Sequence, residues 1–252
     1  MATINKWVAE KTNNKVKDIV PEGTVNDLTR LVLVNAVYFK GKWQQNFSTA
    51  LTADDKFHMP KKSVKVKMMR IPEGKFLYGE NSQLHCQAIE LPYVERSLSM
   101  FVLLPDKTVT SLSELEKKMT AGDIVNVTQK FQMSSKLVSL RLPRFSLDKQ
   151  LRLADTLAGM GMHDIFEQGA ADLSGIDGSK DLFVSEVLHR AVVEVNEQGT
   201  EAAAATAVVT MTHNGVYVPI SFYANHPFLF FIQHKTTGSI LFIGRLVKPS
   251  AA

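Results

Sequence analysis

The chain has 252 residues, of which 45% are hydrophobic and 21% charged, and its formal net charge is only +4. That balance excludes a disordered chain and provides no strong field for a polyanion, so nucleic acid is not expected as a partner. The longest apolar runs, Leu31 to Asn35 and Phe228 to Ile232, are too short to cross a bilayer, so no membrane partner is expected either.

In chain order, Asn5 to Ile19 reads as a short amphipathic helix with Trp7, Val8, Val16 and Ile19 on its apolar side, stopped by Pro21 and Gly23. Leu28 to Phe39 reads as a long buried strand. Segments 54 to 70, 76 to 80, 84 to 92 and 97 to 104 alternate or run apolar between Pro and Gly turns, as antiparallel sheet does. Within the first of these, Lys61, Lys62, Lys65 and Lys67 alternate partly with Val64 and Val66 and suggest a solvated face. Ser111 opens a helix with Leu112, Leu115 and Met119 on one side. Val138 to Phe145 is a strand, Leu147 to Gly159 a helical stretch, and a Gly- and Asp-rich loop runs to Lys180. Val184 to Asn196 is extended, and the region after His213 returns through Tyr217, Val218 and Ile220 to two apolar strands, 227 to 234 and 239 to 246. No linker divides the chain, so one α+β domain is expected over residues 1–252.

The single cysteine, Cys86, excludes an internal disulfide and is expected as a buried free thiol. Asn46-Phe-Ser48 and Asn126-Val-Thr128 match the glycosylation acceptor pattern, which matters only in a secretory compartment. The first residues lack the apolar core and cleavage site of a signal peptide. No Gly-x-Ser-x-Gly elbow or histidine metal motif occurs, so neither a catalytic set, a metal nor a cofactor is expected. His189, between Leu188 and Arg190, reads as a hydrogen-bonded core histidine before it reads as a catalytic base. Trp43 reads as a core aromatic.

The segment from Glu194 to Gly215 has divided local preference. Ala202, Ala203, Ala204 and Ala205 favour helix, while Val192, Val193, Val195, Val208 and Val209 favour strand. When extended, it places Thr200, Ala202, Ala204 and Thr206 on one uniformly small face, which could enter a packed sheet without overpacking. Gly199 adds the backbone freedom of a hinge. An alanine-rich linker or short exposed helix satisfies the same periodicity.

This hinge resembles that of the serpins, protease inhibitors whose reactive loop inserts into their own central sheet. Further similarity is carried by Asn35-Ala-Val-Tyr-Phe-Lys-Gly-Lys-Trp43, Leu142-Pro-Arg-Phe145, Ala171-Asp-Leu-Ser-Gly175, His226-Pro-Phe228 and Gly238-Ser-Ile-Leu-Phe-Ile-Gly-Arg245, in the family's order and approximate spacing. The likeness is greatest to the ovalbumin-type branch that includes leukocyte elastase inhibitors. Ile4-Asn-Lys-Trp-Val8 resembles the end of the helix crossing the central sheet. That implies a missing N-terminal portion with most of the helices, two central strands and any leader, so extracellular space and cytoplasm both stay open. An incomplete sheet would also promote self-association.

The resemblance further implies a serpin-like α+β fold and site roles. Glu197, Gly199, Thr200, Glu201 and Ala202 to Ala205 would form the hinge. Asn35 and His189 would form a hydrogen-bonded shutter, and Trp43 would stand at the breach where the loop first enters the sheet. Threonine at position 200, the first inward position, keeps insertion feasible, since a buried unpaired charge there would be costly. Counting from the hinge puts the reactive bond between His213 and Asn214, while counting back from His226-Pro-Phe228 points to Val216 and Tyr217; Met211 and Thr212 stay open as well. The absence of Lys and Arg from Gly199 to Tyr217 disfavours a trypsin-like target. The partner implied is a chymotrypsin-like, elastase-like or cysteine protease, captured as a covalent acyl-enzyme. A non-inhibitory binding or carrier serpin and a hydrolase are the competing classes.

Overall fold

The computed structural model describes residues 1–197 and 218–249. Its helices and strands, in chain order, are α1 (Ala2–Lys11), β1 (Leu31–Phe39), β2 (Ala53–His58), β3 (Ser63–Asn81), β4 (Cys86–Pro92), β5 (Leu98–Pro105), α2 (Leu112–Lys118), α3 (Ala121–Val125) and α4 (Val127–Lys130). They continue as β6 (Ser134–Pro143), β7 (Phe145–Arg152), α5 (Ala154–Gly159), α6 (Ser174–Asp177), β8 (Val184–Val195), β9 (Ile220–Tyr223), β10 (Phe228–His234) and β11 (Ile240–Leu246). They fall into two compact units, Met1–Phe39 with Leu147–Glu194, and Lys40–Ser146 with Val195–Ala252.

The first unit is built on a three-stranded sheet in the order β1-β8-β7. β1 and β8 run parallel, from Leu31 opposite Val184 to Phe39 opposite Val193. The expected helix over Asn5 to Ile19 is shorter: α1 stops at Lys11, because Asn13 and Asn14 adopt φ of 50° and 59°. Asparagine tolerates that left-handed region, and no helix continues through it. Thr12 closes the end, its hydroxyl donating to the Val8 carbonyl at 2.8 Å and accepting from the Val16 amide at 3.1 Å. Val16 and Ile19 reach the core from the following loop, with Val8, Leu188 and Val192. The Asn5 carboxamide holds that loop by bonding both the amide and the carbonyl of Val20. Trp7 is 59% exposed and is not part of the apolar side.

Two strand expectations also change. β1 begins at Leu31, with Leu28 exposed, and the strand is half-buried rather than buried because it lies at the edge of its sheet. The expected helix from Leu147 is a strand to Arg152, followed by the short α5. Phe145, Leu147 and Leu151 fall on one face of a strand, while Leu147 and Leu151 also stand four apart as on a helix, and β8 supplies the backbone partners that decide between them.

In the second unit a larger sheet orders its strands β11-β10-β5-β4-β3-β6-β9, with β2 pairing β3 off that path. The Pro and Gly expected to separate two strands lie instead in one strand, β3, whose register against β6 shifts between Ile71 and Gly74. A bulge there lets one strand serve two sets of partners, β2 before it and β4 after it. Lys65 and Lys67 do face solvent, and each bonds Asp54 at 2.9 Å. α2 opens on a capping box between Ser111 and Glu114 and buries Leu112 and Leu115. Its apolar side joins a core centred on Phe101, Phe131 and Phe231, in which the first and last stack at 5.0 Å. Cys86 is buried in the same core, and burial pushes its thiol up to about 12. β11 is less buried than its composition suggests, with Leu241 and Ile243 about half exposed on its outward side.

Gly79 marks the closest approach of β3 to the helical segment, since a Cβ there would lie 2.0 Å from the Phe131 carbonyl oxygen. Gly79→Ala should therefore cost about 3 kcal/mol, at the upper end of overpacking. Urea denaturation should show a lower midpoint at an unchanged slope.

Candidate functional site

Two groups of expected site residues lie among the described positions, one in each unit. In the first unit, Asn35 on β1 stands opposite His189 on β8, and their side chains lie 3.0 Å apart at Oδ1 and Nδ1. An amide oxygen only accepts, so the bond fixes Nδ1–H of the imidazole as donor. His189 is half-buried and Asn35 is exposed, so His189 is not the core histidine expected from its apolar neighbours. Leu188, on the opposite face, is the fully buried one. The bond spans the β1–β8 interface, so separating the two strands breaks it along with the main-chain ladder.

In the second unit, the chain leaving β8 is fixed by two consecutive carbonyls. The Trp43 indole N–H donates to the Asn196 carbonyl at 2.8 Å, and the Phe47 amide donates to the Glu197 carbonyl at 3.1 Å. Trp43 is 3% exposed and stacks on Tyr93 with centroids 4.6 Å apart, while Phe47 meets it edge-on at 6.2 Å. The Trp43 and Tyr93 backbones also form a bridge, flanked by bonds from the Gln44 amide to the Pro92 carbonyl and from the Val94 amide to the Lys42 carbonyl. Burial pushes the Tyr93 phenol well above its usual range, so it stays neutral. The Glu197 side chain is buried, and its carboxylate lies 3.8 Å from the Arg144 guanidinium.

Sequence reasoning singled out Trp43 and Glu197 but did not single out Tyr93, Phe47 or Arg144. Arg144 lies within the quoted Leu142-Pro-Arg-Phe145 run, and a lone cation beside buried Phe145 was the available signal for it. Nothing local marks Tyr93, because stacking partners distant in sequence meet only through strand pairing. Gly199, Thr200, Glu201, Ala202 to Ala205, Met211, Thr212, His213, Asn214, Val216 and Tyr217 lie outside the described residues. Among the described residues, no group of three or more His, Cys, Asp or Glu side chains could hold a metal ion.

Trp43→Phe keeps an aromatic ring but a smaller one, and removes the N–H donor to the part-buried Asn196 carbonyl. The expected loss is at least about 1 kcal/mol in thermal or urea unfolding, from the hydrogen bond and the lost packing together. A loss near zero would mean that the indole N–H does not hold this carbonyl.

A family model described as Serpin (serine protease inhibitor) matches residues 1–249. Leukocyte elastase inhibitor of Bos taurus is 44% identical over 251 residues, covering 98% of this chain and 66% of that protein. That of Xenopus tropicalis is 45% identical over 249 residues, covering 98% of this chain and 65% of that protein. Among solved structures, uncleaved ovalbumin matches with a TM-score of 0.86 at 33% identity, over 98% of this chain and 62% of that one. The chain thus spans slightly less than two thirds of the length of these relatives.

Proposed function

The chain belongs to the serpin family and has its α+β fold, and from that premise we propose that it works as a single-use protease inhibitor and not as an enzyme. A protease attacks the loop that follows Glu197, with His213 and Asn214 flanking the reactive bond and Met211, Thr212, Val216 and Tyr217 as alternatives. The acyl-enzyme is trapped when the freed segment, led by Gly199, Thr200, Glu201 and Ala202 to Ala205, enters the sheet as a new strand. Both units then belong to one serpin domain.

The observation that carries this reading is the parallel pairing of β1 with β8, the strand whose continuation is the loop. A segment that turns back after β8 runs antiparallel to it, and lying between β1 and β8 it would be antiparallel to both. Antiparallel pairing is slightly the more stable arrangement per residue, so exchanging one parallel interface for two antiparallel ones favours insertion. Asn35 and His189 act as the latch across that interface, and Trp43 fixes the point of entry. About 15 residues at roughly 3.3 Å each would carry the bound protease about 50 Å, far beyond the displacement that disables a catalytic constellation. Similarity to leukocyte elastase inhibitors and a loop without Lys or Arg support an elastase-like or chymotrypsin-like target, with cysteine proteases next.

Incubation with leukocyte elastase and with chymotrypsin tests this. An SDS-stable complex of inhibitor and protease is expected, and His213→Arg should redirect complex formation to trypsin. Clean loop cleavage with full protease turnover would support a non-inhibitory binding protein instead.

Self-association is proposed as well, through the outer strands β1 and β11, where Leu241 and Ile243 stand in solvent. Size-exclusion chromatography should show a concentration-dependent shift to larger species, reduced by Ile243→Lys. A monomer at all concentrations counts against it.

A further inference from the structure

The second unit carries a groove of about 720 Å³ between the turn after β5, the start of α2 and the residues flanking β10 and β11. Its wall is largely apolar and includes Met59, Val109, Leu112, Pro227 and Val247. Val109 and Val247 are 56% and 42% exposed, so apolar surface is left in water along the groove. A second, more polar cleft of about 800 Å³ adjoins it, with Pro105, Lys107, Thr108 and His226 lining both. Volumes of this size suit a small molecule, and an apolar channel opening on a few convergent polar groups is the usual form of such a site.

The junction has two distinctive groups. His226 is 8% exposed, and burial holds its ring below the usual histidine range, with one nitrogen engaged by the neighbouring Pro227 carbonyl. Lys107 is the charged side chain common to both cavities. The other charges nearby are already engaged. Asp106 accepts from the Thr108 hydroxyl at 2.6 Å and from its amide at 3.0 Å. Glu114 accepts from the Ser111 amide and hydroxyl at 2.9 and 3.0 Å, and Arg245 pairs with Glu116 at 3.0 Å. His58 bonds the Ser63 hydroxyl at 3.0 Å.

We propose that this groove binds an amphipathic carboxylate, its apolar chain along Met59, Val109, Leu112 and Val247 and its carboxylate at the junction on Lys107. A long chain buries the exposed apolar wall, while the head stays beside a cation and within reach of the polar cleft. The proposal does not depend on the inhibitory reading, because none of these residues belongs to the hinge, the β1–β8 interface or the Trp43 cluster.

The test uses decanoate as probe, hexanoate as its short-chain control, and the ¹³C-labelled Met59 methyl resonance as reporter. Decanoate should shift that resonance saturably and bind at least tenfold more tightly than hexanoate. Lys107→Glu, at an exposed turn position, should weaken decanoate at least tenfold without altering the melting temperature. Val109→Asp should do the same from the other end of the groove. An unmoved Met59 resonance, equal affinity for the two chain lengths, or binding that survives both substitutions would overturn the proposal.

Discussion

The constraint on which the rest of the structure depends is where the chain is held as it leaves β8. Two neighbouring carbonyls, of Asn196 and Glu197, accept from the Trp43 indole and the Phe47 amide. Buried carbonyls need such donors, and leaving either unmade costs about as much as a lost hydrogen bond. The segment from Trp43 to Phe47 is in turn fixed by stacking on Tyr93 and by the Trp43–Tyr93 backbone bridge. Everything proposed for the loop begins from this fixed point. A strand that inserts needs one end that does not move.

The second element of the proposed mechanism is a balance. For insertion, the β1–β8 interface would have to be stable enough to stay closed and weak enough to open. Its parallel ladder spans nine residues of β1, and side-chain bonds cross it, among them that between Asn35 and His189. A single neutral hydrogen bond contributes about 1 kcal/mol, too little to lock a sheet and enough to bias its opening. The buried face beneath is supplied by Val8, Val16, Ile19, Leu188 and Val192, with Val32, Val34, Ala36 and Tyr38 of β1 packed against them. For the proposed insertion, entry would require this interface to open first, and that barrier is what makes such a state kinetically held.

The groove beside α2 obeys a different logic. Its walls come from the ends of elements rather than from their middles: the turn after β5, the capping residues of α2 and the residue that precedes Pro227. Ends leave backbone groups and short side chains to be satisfied locally, as Ser111 with Glu114 and Thr108 with Asp106 show. Local satisfaction gives the nearby acids, which stay ionised, their partners, and leaves Lys107 as the charged side chain common to both cavities.

Sequence alone determined the strands from Cys86 to Pro105 and from Phe228 to His234, because continuous apolar runs bounded by turns have few other solutions. It also identified the α2 start at Ser111, and pointed to Asn35, His189 and Trp43 as residues of interest. Tertiary structure decided the rest, for reasons visible at particular residues. Leu147 and Leu151 suit a helix or a strand until β8 offers its backbone. Asn13 and Asn14 end α1 through left-handed φ values that composition permits without requiring. The indole bond of Trp43 to Asn196, the Tyr93 stack and the approach of Arg144 to Glu197 join residues far apart in the chain. Periodicity reports which face of an element is apolar, and only packing determines which distant element meets it.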